Sequence, residues 1–132
     1  SNNCSSPKKL EQKQYVIAKG DSGASSHYIR PEDACILHNV KMTPGPPVQQ
    51  PDATTLKITG TGQIPLSLKL SPQAQQGLIL PHLKSASLIA MGPLCDNDCN
   101  VIFSKRHMAV IKNNEVILRG TRNKYNDLRA IP

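Results

Sequence analysis

The residues best placed to do chemistry are Asp21-Ser22-Gly23-Ala24-Ser25. A carboxylate heads a run of small residues, so it can sit on an open turn and exchange protons with a substrate or a water molecule. Gly23 permits a tight turn and the close approach of a second backbone. The hydroxyls of Ser22 and Ser25 are short enough to brace such a turn. The other acids offer nothing similar: Asp33, Asp52, Asp96, Asp98 and Asp127 are not followed by Ser/Thr-Gly. His38, His82 and His107 have no Ser or Cys partner in a recognisable nucleophile motif. Cys95-x3-Cys99, with His82 upstream and His107 downstream, lacks the spacing of a standard zinc site. Cys4, Cys35, Cys95 and Cys99 are therefore expected as free thiols, and no metal or other cofactor is expected.

An acid on a turn needs rigid elements on both sides. Residues 13–20 read as a strand before it, and Ser26-His27-Tyr28-Ile29 as a strand after it, with His27 a strand residue beside the site. Arg30 to Leu37 predicts a short helix, because Pro31 suits a first turn and Glu32 and Asp33 suit its positive end. Residues 41–52 are a loop by composition. Thr54–Thr59 and Gln63–Leu70 predict a hairpin over about 54–70 with Gly60-Thr61-Gly62 as its tip. Its second arm alternates apolar and polar residues, and Pro65 suggests an edge strand. Further on, Leu78–Leu83 reads as a strand. Met108–Ile111 and Glu115–Leu118 predict another hairpin, over about 108–118, across Lys112-Asn113-Asn114. The outcome is one all-β domain over 13–132 with one or two short helices, preceded by a flexible arm at 1–12.

These patches, in this order, resemble the protease of Copia-type (pseudovirus) LTR retrotransposons, a branch of the retropepsin-like aspartic proteases. The resemblance rests on Asp21 to Ile29, Ile58 to Ile64, Leu78 to Leu83, Ser87 to Phe103 and the tail from Arg119, and it covers roughly 14–132. Three positions depart from the family pattern. Gly20 stands where an apolar residue usually precedes the acid, Ala90 stands where many members have Gly, and Leu128-Arg129 lacks a Trp.

The resemblance implies a closed β-barrel, a flap hairpin and a homodimer with Asp21 and its symmetry mate at the two-fold axis. In that scheme Ser22 bonds across the axis, and Gly23, Ala24 and Ser25 complete the active loop. Ile58, Thr59, Gly60, Thr61 and Gly62 form the flap over the substrate, and Leu88, Ile89 and Ala90 support the loop from below. The implied activity is aspartic endopeptidase cleavage of the polyprotein that contains the chain. One carboxylate takes a proton from water while the other, protonated, polarises the scissile carbonyl. Two carboxylates about 3 Å apart repel by about 5 kcal/mol at an effective dielectric near 20. Such a pair titrates in two separate steps, which predicts an acid-leaning optimum.

Composition bounds the alternatives. The net charge is +7, but the basic residues are spread along the chain, and Lys8-Lys9-Lys13 and Arg119-Arg122-Lys124 read as solvated ends. Aromatic residues are almost absent, so bases have little to stack on, and nucleic acid is not expected as a specific partner. No apolar run approaches the roughly 20 residues of a membrane span, and no signal peptide is visible. The chain does not open on Met and is expected to be a piece cut from a longer polypeptide. The expected location is cytoplasmic, within virus-like particles. Two other functions stay open here: a retropepsin-fold domain that dimerises or binds peptide without cutting, and an unrelated basic β domain that associates with RNA.

Overall fold

Eleven prolines and eight glycines cut the chain into short pieces, which favours strands over long helices. The structure is a computed structural model describing residues 16–49, 54–83, 85–122 and 127–130. It begins with β1 (Val16–Asp21), β2 (His27–Ile29) and β3 (His38–Lys41), with a 3-10 turn over Pro31–Ile36 between the last two. A small hairpin follows, made of β4 (Val48–Gln49) and β5 (Thr55–Leu56). Next come β6 (Gly60–Gln63), a 3-10 turn at Gln73–Gln75, β7 (Gln76–Ile79), β8 (Ser87–Ala90) and the short helix α1 (Met91–Asp96). The last four strands are β9 (Asn100–Phe103), β10 (His107–Lys112), β11 (Glu115–Thr121) and β12 (Asp127–Ala130).

Ten strands form one sheet in the order β3-β6-β7-β2-β8-β1-β12-β11-β10-β9, and β4-β5 stand apart as a second sheet. The protein is mostly β, as expected. The edge strands β3 and β9 do not pair with each other, so no closed barrel forms among the described residues. Among the same residues no helix is long and apolar enough to cross a membrane.

The topology around Asp21 follows from this order. β8 runs parallel to β1 and antiparallel to β2, and it lies between them. The two strands that flank the acid therefore straddle a third strand instead of pairing with each other. Alternation along each strand sorts the side chains. On β2, His27 and Ile29 are buried and Tyr28 between them is half-buried. On β8, Ile89 is buried and Leu88 is half-buried. Ile29, Ile64, Ile79, Ile89, Leu94, Val110 and Leu118 are the largest fully buried apolar side chains. Each contributes about 1.5–3 kcal/mol by leaving water, and the core is aliphatic as the lack of aromatic residues requires.

The hairpin expected over 54–70 is not there. Gly60, Thr61 and Gly62 lie inside β6, hydrogen-bonded between β3 and β7. A Cβ on Gly62 would come within 2.8 Å of the Leu37 side chain, and one on Gly60 within 2.9 Å of the Lys41 carbonyl. These glycines serve close packing, not bending. Ile58 is buried, and the Thr59 amide donates to the Ile79 carbonyl at 3.0 Å. The expected second arm is a strand only as far as Gln63. Beyond Pro65 the amides of Leu66 and Ser67 donate to the Gln75 side-chain oxygen at 2.9 and 3.0 Å, which satisfies a loop rather than a ladder.

Other expectations fare differently. The segment read as a helix from Arg30 is the 3-10 turn Pro31–Ile36, and the strand read over 78–83 is β7 at Gln76–Ile79. The hairpin read over about 108–118 is β10–β11. Asn113 and Asn114 at its tip have φ of 49° and 65°, the left-handed pair that a two-residue turn needs. In the tail, β12 pairs with both β1 and β11. Cys95 and Cys99 are free thiols, exposed and buried respectively, whereas Cys35 is disulfide-bonded. The arm at 1–12 lies outside the described residues.

Candidate active site

Asp21 is the last residue of β1, and its ladder partner is Ala90 at the end of β8. Gly20 pairs with Ile89 in the same register, so this glycine is held in the ladder. The Asp21 side chain is half-exposed. The Gly23 amide donates to its Oδ1 at 2.8 Å, which orients the carboxylate. Gly23 does not use the left-handed region, since no glycine has positive φ among the described residues, and a Cβ there would sit 3.4 Å from Asp21 Oδ1. Ser22 and Ser25 are exposed and make no side-chain hydrogen bond within the described residues, so the amide of Gly23, not a hydroxyl, braces the turn. Ala24 is half-buried beside it.

The loop opens into a cleft of ≈ 910 Å³, in the size range of small-molecule and peptide sites. Asp21, Gly23, Ala24 and Ser25 line one side, with Tyr28 and Leu88 from the paired strands β2 and β8. Gln49, Thr55 and Leu56 of the β4–β5 hairpin line it as well, followed by Lys57. Leu80, His82 and Leu83, after β7, complete it. Asp21 is the one acid among these lining residues.

The predicted site residues therefore separate into two groups. The structure brings Asp21, Gly23, Ala24, Ser25 and Leu88 to one cleft, with Ile89 and Ala90 buried on the neighbouring strand, opposite Gly20 and Asp21 in the ladder. Ile58, Thr59, Gly60, Thr61 and Gly62 do not line it. The hairpin that faces the acid is the earlier one: β4 comes from residues read as a composition-defined loop, and β5 from the expected first arm at Thr54–Thr59. Tyr28 was legible in principle, because it alternates with two core-facing neighbours. The β4–β5 hairpin carried a weaker signal, the Pro51-Asp52 turn pair between Val48 and Leu56.

Two buried polar groups hold the site from behind. Asp33 is fully buried and accepts from Arg30 Nε at 2.9 Å and Nη2 at 3.0 Å. The Ser87 hydroxyl donates to Asp33 at 2.7 Å and accepts the Arg30 amide at 3.0 Å. This network ties the Pro31–Ile36 turn to the start of β8, and the Asp33 carboxylate raises the Arg30 pKa. His27, also buried, accepts at Nδ1 from the Ala90 amide at 2.9 Å and lies with Nε2 2.7 Å from the Ala74 carbonyl. Burial pushes its pKa below the ordinary 6.5, partly offset by the bond to Ala74. No family model, curated protein or solved structure matches the chain.

Proposed function

We propose that the chain is an aspartic endopeptidase of a retrotransposon polyprotein, of the Copia-type retropepsin kind, and that it works as a homodimer. One arrangement carries the proposal. A half-exposed aspartate, oriented by a backbone amide at the end of a central strand, faces a ≈ 910 Å³ cleft whose other wall is a hairpin. The motif order of the sequence points the same way. In this scheme the flap is β4–β5, and the peptide lies extended between it and the Asp21 loop. Tyr28, Leu56, Leu80, Leu83 and Leu88 offer apolar walls for its side chains.

Peptide hydrolysis by this chemistry needs two carboxylates that share one proton, and the described residues of one chain bring one acid to the cleft. The second Asp21 comes from a second copy across a two-fold axis. The ionised Asp21 takes a proton from water, and the oxygen attacks the carbonyl carbon. The protonated one donates a hydrogen bond to the carbonyl oxygen. When the C–N bond breaks, the proton taken from water passes to the leaving nitrogen, and the pair returns to its singly protonated state.

The test is cleavage of a diverse peptide mixture between about pH 4 and 7, followed by mass spectrometry at several protein concentrations. Wild type is expected to cut, with activity rising faster than linearly in dilute solution. Asp21→Asn is expected to lose roughly 10⁴-fold or more. Equal cutting by both proteins, or none by either, would leave a peptide-binding or dimerisation domain that uses the same cleft without catalysis.

A further inference from the structure

We propose that His27 is a positioning residue for the Asp21 reaction, its neutral imidazole fixing the strand end against which Asp21 is registered. The inference rests on the protease proposal and deepens it. His27 is 1% exposed and does not line the cleft, so it cannot touch a substrate. Both of its ring nitrogens are nevertheless committed. Nδ1 faces an amide N–H, which can only donate, and Nε2 faces a carbonyl, which can only accept. Together they specify a single form of the ring, neutral with the proton on Nε2.

The donor at Nδ1 is Ala90, the residue that pairs with Asp21 and ends β8. The imidazole thus does for Ala90 what a further strand residue would do. Through Ala74 it also ties that point to the Gln73–Gln75 turn. A displacement of Ala90 is passed to Asp21 through the ladder, and a 1 Å error at a reacting group costs about 100-fold.

A proton on Nδ1 would set two donors against each other and break this strut. On β1 the nearest charged group in the ladder is Asp21, which is the partner of Ala90 and faces the cleft. β7, β8 and the Gln73–Gln75 turn carry no ionisable side chain, and the Cys95 and Asp96 side chains of α1 are exposed. Tyr28, on the same strand, points to the cleft. The sign of the pH effect follows. Below pH 6.5 the unfolded chain takes up a proton that the folded one refuses, so stability declines as pH falls until the depressed folded value is reached. The acid pair favours low pH while the strut needs a neutral ring, so the acid limb of activity carries a contribution from His27.

Three proteins test this: wild type, His27→Leu and His27→Gln. The Gln amide can both accept and donate but does not titrate. His27→Leu is expected to lose about 100-fold in kcat, with KM changed by less than about threefold. His27→Gln is expected to recover most of that loss and to stay active further into acid than wild type. Nitrogen NMR of the wild-type ring is expected to report the Nε2–H form, with the Ala90 and Asp21 amides shifting as the ring titrates. An unchanged acid limb in His27→Gln overturns the proposal, as does a ring that titrates without moving those amides. If His27→Leu does not fold, the NMR experiment on wild type decides by itself. If wild type cuts nothing, the protease proposal falls while the same NMR outcomes still support or overturn the strut.

Discussion

On one side of the cleft, the Asp21 loop rises from β1, which has a ladder neighbour on each edge and buried polar struts behind it. On the other side, the β4–β5 hairpin is a separate sheet with two residue pairs, Val48 with Leu56 and Gln49 with Thr55. Gln49, Thr54 and Thr55 are exposed. Near the base of the hairpin, the Gly45 amide bonds the Ile58 carbonyl at 3.3 Å. Chemistry needs atoms held in place, whereas admitting and releasing a chain needs a wall that opens at little cost. The contrast is one of buried area and ladder length, and it assigns the stiff part and the yielding part of the site without reference to any relative.

Mutations can break that contrast. The largest stability effect is expected on the stiff side. Asp33→Ala removes the fully buried carboxylate that accepts from Arg30 and Ser87, and should lower the unfolding free energy by about 3 kcal/mol in urea denaturation. A loss below ~1 kcal/mol would mean that the network is not holding β8. Next comes Gly62→Ala, which places a methyl against Leu37 in the core and should cost about 1–3 kcal/mol. A stable Gly62→Ala protein with altered cleavage would return the flap to Gly60-Thr61-Gly62. The smallest effect belongs to the yielding side. Leu56→Ala removes a half-buried side chain from the cleft wall and should raise KM severalfold, with stability lost by no more than about 1 kcal/mol.

How much of this was legible depended on how local each feature is. The Asp21 turn and the β10–β11 hairpin could be read because the deciding residues are neighbours: a run of small residues in one, and two asparagines that tolerate left-handed backbone in the other. The hairpin tip read at Gly60-Thr61-Gly62 was misread because glycine has two uses. Gly60 and Gly62 look like a flexible tip, but Gly62 is set by contact with Leu37, which is far away in sequence. The return of residues 127–130 to β1 was invisible for the same reason, since a short strand is defined by a partner the local pattern does not name. Arg30 and Asp33 are three residues apart and suggest a pair, but Ser87, 54 positions from Asp33, completes it. His27 was read as a strand residue next to the site, and its hydrogen-bond partners give it the positioning role.

The pairing of β1 with β12 also sets an order in time. Val16 lies opposite Ala130, so the strand that carries Asp21 receives its second neighbour from a segment made more than a hundred residues later. Contacts this distant form late in folding, because the intervening chain must first be ordered. During synthesis β1 keeps an open edge until residues 127–130 emerge from the ribosome. For the proposed protease, that open edge delays a complete Asp21 strand until the whole domain has been made.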